Sequence, residues 1–319
     1  MTRRELGVLL AQPLLSPQTS AAPAWVERAP MPLARAGCMA ANYGNKVLVA
    51  GGSHWESDKK VFSDRCDLFD PRANLWSQVA PLPTPRSDAA CATTDSVHIL
   101  GGIENGTLTD SALSFDGRRW VPLPEARLPF PTTYATALAI GQDIYLFGGL
   151  NALGDITTAT NTLYRRRSGE PWIPLAPLPS FGRVTAAVVL HRKRIYVLGG
   201  MRKDPARDIE NLAEVWAYNP STNIWTQCPP LPFARRAGSA VSVGKEILFL
   251  GGYTDGFSAE IHMYDPATGT SSSAGNLPHP LADSRFVRIG ARCIGVGGET
   301  GVKIRAPWTL ETKLPKERG

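Results

Sequence analysis

The chain has 319 residues, 43% of them apolar and 19% charged, with a net charge of +6 and a pI near 9.1. No apolar run is long enough to span a membrane, and the basic residues form neither one long run nor an RNA-binding signature, which argues against nucleic acid. A basic balance spread along the chain suits a small anionic ligand instead. The five cysteines, Cys38, Cys66, Cys91, Cys228 and Cys293, form no Cys-x-x-Cys. Neither a disulfide framework nor a zinc site is indicated. Cys38, Cys91 and Cys293 lie in strand patterns and read as small core residues, with one disulfide open if the protein is exported.

Residues 1–24 stand outside any repeat. They begin Thr2-Arg3-Arg4, continue with the apolar Leu6 to Ala11, and end Ala22-Pro23-Ala24. That pattern predicts a bacterial export signal and a periplasmic or exported protein. The alternative is a disordered terminus. Trp25-Val26-Glu27-Arg28 followed by Pro30-Met31-Pro32 reads as an orphan strand with a Pro-x-Pro exit.

From there the chain writes one sentence six times. A Pro-rich lead-in, often delivering an arginine, opens a strand of small residues. A tight turn such as Gly244-Lys245 follows, then a short apolar strand that ends on a glycine pair. The pairs begin at Gly51, Gly101, Gly148, Gly199, Gly251 and Gly297, in steps of 50, 47, 51, 52 and 46 residues. A variable polar segment comes next. A third strand then runs into Asp-Pro or Asn-Pro turn chemistry, as at Asp70-Pro71 and Asn219-Pro220. A fourth strand starts at Trp76, Trp120, Trp172 or Trp225. The fifth repeat has Thr270-Ser271-Ser272-Ser273 there instead, which predicts a weak outer strand.

This period with a glycine pair is the signature of kelch repeats. The fold class is therefore all-β, a six-bladed kelch β-propeller over residues 25–311, with a C-terminal tail over 312–319. The sixth repeat has two clear strands, Phe286 to Ile289 and Cys293 to Val296, and a third predicted from Ile304 to Leu310. No fourth follows, so Trp25 to Arg28 is expected to supply it and close the ring.

Strand alternation puts the lead-ins and the long segments after the glycine pairs on one rim, where function concentrates. Arg35, Arg86, Arg183 and Arg235 or Arg236 open inner strands there. Thr132-Thr133 takes that place in the third repeat. Arg285 comes later in the sixth and is expected to lie deeper or out of register. Guanidinium groups around one channel mouth fit a carboxylate ligand. The structural alternative is pairing with neighbouring acids. Phe130, Phe181 and Phe233 stand beside the lead-ins, as core or as an apolar wall for a sugar. Arg165-Arg166-Arg167 reads as a solvated edge. Only the sixth repeat places an acid, Glu299, after its glycine pair, with Arg305 six residues on. Glu299 is a candidate acid/base, or else one half of a structural ion pair.

These residues resemble the bacterial six-bladed kelch N-acetylneuraminate epimerases, or sialic acid mutarotases. That family has Gly-Glu with an arginine six residues after the Glu, although Val302-Lys303-Ile304 replaces its Pro-Gly here. The resemblance implies an isomerase without metal or other cofactor. Glu299 and Arg305 would be catalytic, and Arg35, Arg86, Arg183, Arg235, Arg236 and Arg285 would bind an acidic sugar, in the periplasm. Two other classes compete. One is a non-catalytic kelch module binding a protein or glycan through its loop rim. The other is a kelch copper oxidase, disfavoured because His54, His98, His191, His262 and His279 fall at unrelated places in their repeats.

Overall fold

The computed structural model describes residues 23–204, 206 and 208–315. The export-signal reading falls on residues of which the first 22 lie outside that range. The described chain forms six four-stranded antiparallel sheets, with four small hairpins or sheets on the connections. In the first blade the order from the axis outward is Met39–Tyr43, Lys46–Ala50, Cys66–Asp70, Leu75–Val79. The fifth blade has a full outer strand at Ser271–Asn276, bulged against Glu260–Tyr264. The expectation of a weak strand there is corrected: backbone pairing carries it without a tryptophan.

The sixth blade runs Arg285–Ile289, Arg292–Val296, Thr309–Lys313 and then Val26–Glu27. Its third strand is thus later than predicted and runs past residue 311. Ile304–Arg305 instead pairs with Glu299–Gly301 in a loop hairpin. The outer strand does come from the N-terminal side, with Val26 opposite Glu311 and Glu27 opposite Leu310. Arg28 N donates to Thr309 O at 2.8 Å and Met31 N to Pro307 O at 2.7 Å. The Arg28–Glu311 ion pair at 3.1 Å adds to the latch.

Successive blades are joined through the glycine pairs. Gly51 and Gly52 have φ of 60° and 98°. A Cβ on Gly51 would stand 2.2 Å from Arg86 O in the next blade. Only glycine allows that approach and that backbone. Gly52 N donates to the same carbonyl at 2.8 Å, and Gly102 repeats the bond to Thr132 O, Gly200 to Arg235 O and Gly252 to Leu281 O. Gly298 N reaches Arg35 O at 3.1 Å, which joins the last blade to the first. Outer tryptophans add a second seam. The indole N–H groups of Trp76, Trp172 and Trp225 donate to Ala29 O, Ala126 O and Ala176 O on the exit of the preceding blade. Between the sheets lie apolar clusters such as Val47, Val49, Phe69, Ile294 and Val296, buried between blades six and one.

Two rims result. Short turns between inner and second strands, and between third and outer strands, make a turn face. The lead-ins and long connections make a loop face. The hairpins Ser53–Glu56 with Lys59–Phe62 and Met201–Asp204 with Asp208–Asn211 rise from it.

A chain beginning at Pro23 and one beginning at Leu33 test the latch. The second lacks the strand at Val26–Glu27 and exposes the edge of Thr309–Lys313. It is expected to melt several degrees lower and to aggregate on heating. Equal melting of the two would contradict closure through this strand.

Candidate binding mouth on the loop face

Each lead-in contributes three residues in a fixed pattern. The first, at Arg35, Arg86, Thr132, Arg235 and Leu281, offers its carbonyl to the glycine lock of the preceding blade. The second bridges to the residue after its own blade's glycine pair, as in Ala36 with Ser53, Val184 with Met201, Arg236 with Tyr253 and Ala282 with Glu299. The third is left-handed: Gly37, Asp88, Tyr134, Thr185, Ala237 and Asp283 have φ between 53° and 61°. Asp88 N donates to Gly37 O, Tyr134 N to Asp88 O, Ala237 N to Thr185 O and Asp283 N to Ala237 O, at 2.7–3.0 Å. These residues form a throat around the axis. Non-glycine residues in this conformation are uncommon and sit where surroundings over-determine them.

The four arginines at the first position do not face the mouth. Their side chains are buried and turn back into their own blades. Arg35 pairs with Asp67 at 2.8 Å, and its donors also reach Val49 O and Arg65 O. Arg86 pairs with Glu104 and Ser111. Arg183 meets Glu214 at 2.5 Å, and Arg235 meets Glu260 at 2.5 Å. Arg86, Arg183 and Arg235 also donate to Gly101 O, Gly199 O and Gly251 O of the glycine pairs. Burial would raise Glu214, but bonds from Arg183, Ser180 and Trp216 outweigh it and hold the carboxyl low. The Arg235 hydrogen bond is the main cause that lowers Glu260. The carboxylate clamp expected of Arg35, Arg86, Arg183 and Arg235 is therefore corrected. Their charges are spent on acids within the scaffold.

Arg236, Arg305 and Glu299 do line the mouth, a cavity of about 700 Å³ that also receives Trp55, Lys60, Tyr253 and Phe257. Glu299 is ion-paired with Arg305 at 2.5 Å, and Arg305 Nε donates to Ser53 O. Burial raises the Glu299 carboxyl, Arg305 opposes it, and Asp283 and Asp88 add to the rise. Lys303 lies over Trp55 at 5.0 Å and pairs with Asp58, so the loop hairpins of blades six and one are tied together. Arg236 stacks on Tyr253 at 4.4 Å and donates to Asn211 Oδ1. Among the described residues neither Arg236 nor Lys60 is in an ion pair.

Arg285 lies in the central channel below the throat. It pairs with Asp283 at 3.1 Å and donates to Cys38 O. Asp283 Oδ2 accepts from Gly37 N at 2.9 Å, and a Cβ on Gly37 would meet Asp88 Oδ1 at 2.3 Å. Burial raises the Asp88 carboxyl, and the Asp283 charge raises it further. Sequence reading missed Asp88, Asp283, Tyr134, Trp55, Tyr253 and Phe257. The throat residues were findable, because each stands two places after a lead-in position. Trp55 and Phe257 carry no such periodic mark.

Other expectations sort out similarly. Phe130 packs on Tyr164 and Phe233 on Phe249, while Phe181 is exposed beneath Arg202 at 3.7 Å. In the basic run of blade three, Arg167 pairs with Asp143 at the surface, but Arg166 is buried. All five cysteines are free, with Cys38, Cys66 and Cys293 buried. No group of His, Cys, Asp and Glu that could hold a metal occurs among the described residues.

The kelch motif family model matches residues 34–83 and 182–232. Kelch-like protein terF of Aspergillus terreus is 26% identical over 81% of this chain and 60% of its own length. Human Kelch-like protein 38 is 26% identical over 85% of the chain and 45% of its own. Beta-scruin of Limulus polyphemus is 24% identical over 69% of the chain and 24% of its own. The chain thus spans less than two thirds of these relatives. Their names are those of kelch-like and scruin proteins, not of a sugar epimerase. This overturns the reading as an acidic-sugar mutarotase. The fungal, human and horseshoe-crab sources likewise overturn the bacterial periplasmic location.

Two outcomes follow from the buried charges. Arg35→Ala removes a buried guanidinium from Asp67, which keeps its bonds to Arg65, so a loss of about 1–3 kcal/mol is expected in urea unfolding. A loss below about 1 kcal/mol would mean the pair is only peripheral to the scaffold. Glu299 and Asp88 have raised folded pKa values, so the native state binds more protons and stability falls as pH rises through their titration. Glu299→Gln and Asp88→Asn are each expected to flatten the decline between acidic and neutral pH. An unchanged or steeper slope would contradict the assigned direction.

Proposed function

We propose that this protein, a kelch-repeat propeller, is a non-catalytic binding module that holds a segment of a partner protein in its loop-face mouth. One observation carries the reading. Large apolar side chains gather on this face and stay exposed: Leu153, Phe181, Ile209, Val302 and Ile304. Val302 lines the mouth cavity itself, whose wall also holds Trp55, Tyr253 and Phe257. Exposed apolar groups around a concave site, with aromatic anchors inside, are the composition of a recognition surface. The kelch-like relatives support a protein partner over a small sugar.

The electrostatics refine the class of segment. Among the described residues Lys60 and Arg236 enter the mouth with no acid at ion-pair distance, whereas Arg305 is already matched by Glu299. An acidic side chain beside apolar ones satisfies both cations and the aromatic wall. A glycan stacked on Trp55 and Tyr253 is the second reading, and the same aromatic residues favour it.

Selection of displayed random peptides against the protein tests this reading. Enriched peptides are expected to carry acidic and apolar residues and to compete with one another. The double substitution Trp55→Ala, Tyr253→Ala is expected to weaken them at least about tenfold, the scale of one lost anchor. Full binding by that variant would remove the mouth from the account. Failure to enrich any peptide, together with a specific hit on a glycan array, would favour the glycan.

A further inference from the structure

The turn face carries features that the loop-face reading leaves unused. Inner hairpins in four blades turn on glycine: Gly44, Gly141, Gly244 and Gly290, with φ of 58–60°. Blade four puts Arg192 at that place, with φ 46°, and Lys193 after it, with φ 64°. Arg194 completes the tip. Two consecutive long cationic residues in the left-handed region run against backbone preference, where Gly-Asn, as at Gly44-Asn45, would relieve it. Arg192, Lys193 and Arg194 are exposed, and among the described residues their side chains make no hydrogen bond or ion pair. Arg72, on the third-to-outer turn of blade one, is in the same state.

Exposed aliphatic residues accompany these cations. Away from the loop face the large ones are Val26, Leu75, Ile173 and Ile224, all in outer strands. Leu75 and Ile224 are the first residues of theirs, paired with Asp70 and Asn219 on the lowest row of blades one and four. These blades stand opposite each other in a ring of six. Each pole therefore joins an exposed aliphatic residue to unmatched cations, Arg72 at one and Arg192 to Arg194 at the other.

We infer that the turn face docks on an anionic lipid surface. A peptide or a small protein interface needs one contiguous apolar centre, and here the apolar residues are split between opposite sides of the ring. Nucleic acid would engage the cations but leave the aliphatic residues without a role. A charged plane with an apolar interior meets both poles at once. Cations contact the headgroups while Leu75 and Ile224 reach the acyl boundary. The face binds peripherally, and no helix among the described residues is long and apolar enough to cross a membrane.

The test is sedimentation of the full chain with phosphatidylcholine vesicles, with and without phosphatidylserine. Binding is expected only with phosphatidylserine and should weaken as salt is raised. Arg192→Gly, Lys193→Asn removes two cations and installs the turn used by blade one, so folding should be unharmed. It is expected to lower vesicle partitioning roughly tenfold or more. Leu75→Ser, Ile224→Ser is expected to lower it with the charges intact, while Trp55→Ala, Tyr253→Ala should leave it unchanged. The inference is overturned by equal binding to both vesicle types, by no binding, or by an undiminished Arg192→Gly, Lys193→Asn variant. Tighter binding to polyglutamate or duplex DNA than to the vesicles would overturn the lipid assignment as well.

Discussion

The molecule depends on one contact repeated around a ring: a glycine N–H in one blade donating to a lead-in carbonyl in the next. A propeller has no central core to hold its blades in register, since each sheet packs only on its neighbours. The glycine lock supplies that register at the loop face, where five such bonds occur between Gly52 and Arg86, Gly102 and Thr132, Gly200 and Arg235, Gly252 and Leu281, and Gly298 and Arg35. The lead-in arginines reinforce it from within each blade, because Arg86, Arg183 and Arg235 also donate to the glycine-pair carbonyls. In blades two, four and five the lead-in guanidinium thus ties the inner strand to the glycine pair.

That arrangement divides charge between scaffold and site. Arginines that open inner strands are desolvated and neutralised by Asp67, Glu104, Glu214 and Glu260, so they hold the frame and have nothing left for a ligand. One residue later, at Arg236, the side chain faces the mouth and keeps its charge available. The shift of one position reverses the role because alternate residues of an extended lead-in point to opposite sides. In the throat beneath, backbone bonds join the left-handed residues in two runs, Gly37 to Asp88 to Tyr134 and Thr185 to Ala237 to Asp283.

Much of the fold was legible in the chain because it is written periodically. Glycine pairs at steps near 50 residues, outer tryptophans and proline exits all mark backbone necessities, and the orphan strand at Trp25 pointed to closure from the N-terminal side. The third strand of blade six, expected from Ile304 to Leu310, begins only at Thr309, because Ile304–Arg305 pairs with Glu299–Gly301 in a loop hairpin instead. The site was legible only in part. Position on the rim was readable, but whether an arginine faces outward depends on where an acid such as Asp67, 32 residues away, comes to lie, and periodicity does not encode that. Glu299 and Arg305 form an ion pair, the structural alternative that their spacing left open beside a catalytic one. Trp55 and Phe257 sit on non-repeating loops, where only the folded chain brings them together.

The glycine lock is most directly tested by hydrogen exchange at the glycine amides in the free protein. The amides of Gly52, Gly102, Gly200, Gly252 and Gly298 each donate across a blade boundary. If these bonds hold one closed ring, all five exchange slowly and with similar protection, close to that of global unfolding. Exchange at Gly298 that is faster than at the other four by orders of magnitude would mean that the seam between the sixth and first blades opens by itself, and would contradict a ring closed by these five bonds.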